Sequence, residues 1–203
     1  RKANLLSDEH FTVDSTLIEA WASLKSFKPK DEPPSDEGGG SDGMVDFRGQ
    51  RRTNDTHEST TDEQAKLKRK GPGKEAKLSY GAHALMENGN GFCVDLKVTS
   101  ALQTEAEAAK EMLARQAKKR VRPSTLVADK GYHSKDFVEH LRSKKIAPHI
   151  AQIDGRKTPG LDRRTTRHAG YAVSQRKRKR IEEIFGWMKA YGGLRRTLLR
   201  GVS

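Results

Sequence analysis

The sequence is poor in the residues that build a large dry core. Only 33% of its 203 positions are apolar and 6% are aromatic. That leaves room for one domain with a real core, or one domain carrying a long insertion, with part of the chain unpacked. Cysteine occurs once, at Cys93, which excludes an internal disulfide and fits a reducing compartment, so the expected location is the cytoplasm. Cys93 falls in an apolar strand pattern, where buried filler is expected rather than a nucleophile. No apolar run reaches membrane-spanning length and no signal-peptide pattern is present, so no membrane partner is expected. The seven histidines, among them His57, His83, His133 and His149, are scattered without ligand spacing, which argues against a zinc centre and for structural or solvent-facing roles. The chain opens on Arg1 rather than Met and is read as a single domain, 1–203, lacking its N-terminal part. Acidic residues are also scarce: 27 Asp+Glu face 40 Lys+Arg, a net charge of +13. A balance that basic points to a polyanion, nucleic acid before a membrane surface.

What is present is unevenly placed. Residues 156–203 hold 14 Lys+Arg against 3 Asp+Glu, so the anion-binding face is expected near the C-terminus. Within it, 176–189 reads RKRKRIEEIFGWMK. As one helix this gathers Ile181, Ile184, Phe185 and Met188 on one side. Glu182 lies at the edge of that side, with Arg178 and Lys189 almost directly above and below it, whereas Glu183 points about 100° away. A carboxylate held near a core between two cations suggests a metal-dependent site acting on nucleic acid; ordinary i,i+4 ion pairing on a surface helix explains it equally well. Trp187 is expected to pack, and the run Arg176, Lys177, Arg178, Lys179, Arg180 to meet phosphate.

Taken in order, 10–16 alternates as a strand, with Phe11 and Val13 on one face and Thr12 and Asp14 on the other; 17–24 can continue as a short helix. Residues 26–76 are rich in Pro, Gly and charge and are expected to form a long irregular insertion. A hairpin follows over 77–101, its turn set by Asn88-Gly89, which supplies positive φ values. Thr104-x-x-Glu107 is a capping box opening a helix over 104–119. The apolar run 125–128 reads as a central strand ending at Asp129, where open α/β sheets place their chemistry, and Gly131 allows a sharp turn out. Ser134 caps a helix carrying Phe137, Val138 and Leu141, 146–150 is a further strand, and 154–170 reads as a basic loop. The expected fold class is α/β: a ribonuclease H-like mixed sheet flanked by helices, with a long irregular insertion after the first strand.

In such a sheet the first and fourth strands are neighbours and the last helix packs beside them, so Asp14, Asp129 and Glu182 would converge. Three hard oxygen ligands suit Mg²⁺ or Mn²⁺ rather than Zn²⁺. Two such ions about 3.5–4 Å apart serve phosphodiester displacement. VDST at 13–16, ADKGY at 128–132, SQRKRKRIEEIFGWMK at 174–189 and GGLRR at 192–196 together resemble the DDE transposases of bacterial insertion sequences, in the group with a Tyr-Arg-Glu-Lys signature. The resemblance implies that Asp14, Asp129 and Glu182 are the catalytic, metal-binding triad, and Arg178 and Lys189 match the signature's spacing around Glu182. The signature tyrosine position holds Gln175 instead. The resemblance further implies hydrolysis at element ends, strand transfer into target DNA, double-stranded DNA as partner, Lys189 at the element end, a homodimer in the synaptic complex and association with the nucleoid. A nuclease without strand transfer and a non-catalytic DNA-binding remnant are the alternatives.

Overall fold

The computed structural model describes residues 6–30, 52–153, 161 and 163–202. The chain divides into two compact units, and the division falls inside three strands.

The first unit holds residues 1–15, 82–97 and 103–188. Strand β1 (His10–Glu19) enters it with Phe11 and Val13 fully buried. The strand runs on to Glu19, so the short helix expected over 17–24 does not form there; the β-branched pair Thr16 and Ile18 suits extended backbone, and Asp14 sits within the strand as expected. In the second unit (16–81, 98–102 and 189–203), β2 (Phe27–Pro29) and β3 (His57–Ser59) pair antiparallel, and β4 (Lys66–Arg69) pairs with the start of β5 (Ala76–Glu87). The ends of the expected irregular segment are therefore ordered; its middle, 31–51, lies outside the described residues. Ala20, Phe27, Ala65, Leu78 and Tyr80 supply the apolar contacts that order them.

β6 (Phe92–Ser100) returns beside β5. The loop between them does not use Asn88-Gly89 as a two-residue turn. The positive φ, 77°, is at Gly91, whose amide closes on Glu87 O at 3.0 Å. The Glu87 carboxylate takes the amides of Gly89 and Asn90, while Asn88 is turned inward onto Thr12 and His10. Those inward bonds outcompete the tight turn that the dipeptide alone would favour. Cys93 is exposed on β6, contrary to the expectation of buried filler, with its thiol bonded to Asp95 O. Asp95 itself is spent on Arg115 and Gln116.

Helix α1 (Glu105–Lys118) starts at the expected capping box: Thr104 Oγ1 accepts from Glu107 N and Glu107 accepts from Thr104 N. β7 (Thr125–Ala128), α2 (Lys135–Ser143, capped by Ser134) and β8 (Ala147–Ile150) follow. β7 is parallel to both β1 and β8. The order β6-β5-β1-β7-β8 is the ribonuclease H-like one, with the first and fourth core strands adjacent. Ala147 and Ala151 send their amides to β7, so Pro148 and Ile150 face the open edge, where a missing N–H costs nothing. α1, α2 and β8 close one core around Leu85, Met112, Tyr132, Phe137 and Leu141.

The remaining segment corrects two expectations. The basic stretch 154–170 is partly helical: α3 spans Arg163–Thr166 and α4 (Ala169–Lys177) begins before it ends. The organising helix over 176–189 is two helices, α4 and α5 (Arg180–Ala190). At the joint the bonds shorten to i→i−3, Ile181 N to Arg178 O and Glu182 N to Lys179 O, a tightened turn that shifts the face relation drawn across it.

Candidate active site

Two of the three expected acidic groups stand side by side in the first unit. Asp14 follows the core residue Val13 on β1 and is partly buried. Its Oδ1 accepts the Ser15 amide at 2.8 Å. Burial pushes its carboxyl up to about 6; the Ser15 amide and the Arg178 cation oppose that, and the charges of Asp129 and Glu105 add to it. Asp129 follows β7, the strand beside β1. Its Oδ1 accepts the Gly131 amide at 2.7 Å and so caps the short turn Lys130–Tyr132. Gly131 is not there for a positive φ. A Cβ at this position would collide with Glu105 Oε2 and lie 3.0 Å from Asp129 Oδ1, so the missing Cβ leaves room for the end of the Glu105 side chain.

Glu182 is placed differently. It lies in the first turn of α5, exposed, as does Glu183. No hydrogen bond or ion pair of the described residues engages either, and Asp14 and Asp129 are held by other partners. The apolar side of α5 behaves as expected: Ile181 and Phe185 pack on Ala84 and Met86, with Ile184 and Met188 beside them. Trp187, expected to pack, is 66% exposed.

The basic residues also sort by position. Arg178, at the joint between α4 and α5, directs its charge at Asp14, and its buried Nε has no hydrogen-bond partner among the described residues. Arg180 donates to Asn88 O at 2.9 Å. Arg176, Lys177 and Lys179 are exposed. Lys189 spends its ammonium on Thr16 Oγ1 and Leu17 O, at 2.7 and 2.8 Å, two and three positions past Asp14 on β1.

α4 is fixed to the edge strand. Tyr171 Oη donates to Ile150 O at 3.1 Å and Gln175 Nε2 to His149 O at 2.7 Å. Ser174 Oγ lies 2.7 Å from both His10 Nε2 and His149 Nδ1. Gln175, the departure from the signature, thus anchors the helix to β8.

One acidic residue was missed by the sequence reading. Glu105, the first residue of α1, accepts a short hydrogen bond from Ser15 Oγ and lies against Gly131. The capping box drew attention to Glu107. An acidic first turn is common at any helix N-terminus, so nothing local marked Glu105. Tyr132 is fully buried, its hydroxyl beside the Ser15 side chain. Burial first, then the charges of Glu105, Asp14 and Asp129, raise it, with the neighbouring Ser15 side chain opposing.

These residues fit a divalent cation in their chemistry. The donors are hard oxygens, and their mutual repulsion asks for positive charge. Among the described residues no three His, Cys, Asp or Glu side chains converge closely enough to hold one ion. No helix among the described residues is long and apolar enough to cross a membrane.

A family model described as the transposase DDE domain matches residues 7–202. No curated protein matches the chain. Among solved structures it is similar to a chain in the cryoEM structure of the simian T-cell lymphotropic virus intasome in complex with PP2A regulatory subunit B56 gamma. Identity is 13% and the TM-score 0.41, over 94% of this chain and 45% of that one, so this chain spans less than half the length of that relative.

Proposed function

We propose, from the premise that the chain belongs to the transposase DDE domain family, that it cuts phosphodiester bonds at the ends of a mobile element and joins the freed 3′-OH groups to target DNA. The observation that carries this reading is the adjacency of Asp14 on β1 and Asp129 just past the parallel neighbour β7, close enough for the Asp129 charge to act on Asp14. Asp14, Asp129 and Glu182 would hold Mg²⁺ or Mn²⁺, two ions in the two-metal form of the reaction. Such ions, when bound, favour deprotonation of the attacking water or hydroxyl and offset charge on the leaving oxygen. Arg178, already facing Asp14, adds a fixed cation where a scissile phosphate would bring negative charge. The exposed Arg176, Lys177 and Lys179 and the bonded Arg180 line the same basic run and would contact backbone phosphate. Binding would then fall steeply with salt. Lys189 holds β1 just past Asp14 and, in this reading, also meets the element end. A homodimer would bring two ends together, and the protein would work at the nucleoid.

The test uses the full-length protein with labelled element ends, a target plasmid and Mg²⁺ or Mn²⁺. Joined products that vanish in Asp129→Ala support the reading. Cleavage without joining supports a nuclease, and binding without cleavage a DNA-binding remnant; either result overturns strand transfer.

A further inference from the structure

A cleft of about 610 Å³ lies inside the second unit, its lining drawn entirely from 16–81 and 189–203. Its size falls within the roughly 300–1,000 Å³ of ordinary ligand clefts. Backbone bonds fix the frame around it. The C-terminal segment runs along the end of β1: Glu19 N donates to Arg195 O at 3.1 Å and Thr197 N to Glu19 O at 2.8 Å. Trp21 N donates to Thr197 Oγ1 at 3.1 Å, and Ala20 N to Leu78 O at 2.8 Å. Ala20 and Leu78 line the cleft and are buried, so it has an apolar base on ordered chain.

Two side chains of the lining are left for a ligand. Trp21 is 47% exposed. A lone exposed apolar residue needs no explanation, but this one lines a cleft, with Arg196 over its ring at 5.9 Å from the centroid. That is a cation–π distance, and it holds the indole in place. Glu19 takes both Lys77, at 2.7 Å, and Arg196, at 3.5 Å. Those pairs occupy two of the three cations in the lining. The third, Arg200, has no hydrogen bond or ion pair among the described residues. The remaining carboxylate, Glu75, is exposed. The cleft therefore offers an aromatic surface and one uncommitted guanidinium. A flat π-system that carries negative charge satisfies both, and a nucleotide is such a group. Inside a duplex each base face is covered by its neighbours, so only a base outside the stack can lie on Trp21.

We propose that this cleft binds one unpaired nucleotide of a DNA strand, its base stacked on the Trp21 indole and its phosphate on Arg200. Arg196 and Glu19 are positioning residues: Arg196 holds the ring, and Glu19 holds Arg196. The proposal takes from the function proposed above only that the strand is DNA. It adds a site that distinguishes an unpaired nucleotide from duplex.

The test compares two single strands of equal length on the full chain without metal, one of thymidylate and one abasic. The basic run 176–180 meets both alike through phosphate, so the difference isolates the base. Binding is read by anisotropy of labelled strands and by fluorescence in a Trp187→Phe background, where Trp21 is the sole tryptophan. Expected are quenching of Trp21 by the thymidylate strand alone and roughly tenfold tighter binding of it than of the abasic strand. Trp21→Ala should bring the two strands to equal affinity, and Trp21→Phe should restore part of the difference, both with thermal unfolding close to the parent. Arg200→Gln should weaken both strands and flatten their salt dependence. Equal affinities in the parent chain, or no quenching, overturn the proposal whether or not any variant folds. Free thymidine monophosphate binding as tightly as the strand would assign the cleft to a free nucleotide and overturn the strand. Element-end joining that persists while the two strands bind alike strikes this proposal alone; base-dependent binding without joining upholds the cleft and strikes strand transfer.

Discussion

Ser174→Ala should be among the most damaging single-atom deletions in the first unit. Ser174 is 2% exposed, and its Oγ sits 2.7 Å from two imidazole nitrogens, His10 Nε2 and His149 Nδ1. The direction of every bond follows from one end of the chain. Asn88 Nδ2 can only donate, so His10 Nδ1, 2.6 Å away, accepts. His10 Nε2 then carries the proton and donates to Ser174 Oγ, and the Ser174 hydroxyl donates to His149 Nδ1. That order requires both rings to be neutral. Burial, then the neighbouring His168 and His10, lowers His149 to about 4; burial, then Lys177, lowers His10, with Glu87 opposing. Alanine removes the one oxygen that both rings use. A buried polar atom left unmade costs about 1–3 kcal/mol, so two, with some relaxation, come to roughly 2–4 kcal/mol, out of a total stability of about 5–15 kcal/mol. Urea unfolding should show this as a lower midpoint at unchanged slope. The same network fixes a pH dependence. His149 binds fewer protons folded than unfolded between about 4 and 6.5, so its own contribution to stability rises with pH across that window, against the opposite slope of Asp14, which binds more protons folded than unfolded below about 6. Each tenfold drop in the ring's proton affinity on folding is worth about 1.4 kcal/mol, so the loss is on the order of 3 kcal/mol. A Ser174→Ala cost under about 0.5 kcal/mol would refute the ordered network.

Three further outcomes follow from the same geometry. Asp14→Asn should abolish strand transfer yet stabilise the metal-free protein by on the order of 1 kcal/mol, because it removes a carboxylate that burial and its neighbours disfavour; calorimetry checks the sign. Glu182→Ala should lower strand transfer by about a thousandfold or more and Glu183→Ala far less, on the scale of losing a positioned charge; equal effects would overturn the assignment across the joint at 178–179. Gly131→Ala should leave folding nearly intact, with a melting temperature close to the parent's, since the atom it strikes first is the end of the flexible Glu105 side chain; a large drop in thermal unfolding would show that the side chain cannot give way.

The parts of this fold that were legible in the sequence are those settled within a few residues. Thr104 and Glu107 meet one turn apart, so a capping box is visible in the letters, and it forms. Strand β7 and its closing Asp129 follow from an apolar run that stops at a charge. The parts that were not legible depend on partners far along the chain. Asn88-Gly89 favours a tight turn by itself, but Asn88 is claimed by Thr12 and His10, 76 and 78 positions away, and the positive φ moves to Gly91. Gly131 reads as a turn residue until Glu105 arrives against it from α1. The helix wheel over 176–189 assumed a uniform 100° step, which the i→i−3 bonds at Ile181 and Glu182 break. That break has a cause in the long-range contacts. Ser174, Gln175 and Tyr171 tie α4 to β8 and to His10, whereas Ile181 and Phe185 tie α5 to Ala84 and Met86 on β5. Two anchors on different strands fix two helix axes, and the two residues between them absorb the mismatch. Arg178 sits at that joint, so the position of the joint sets where its charge meets Asp14.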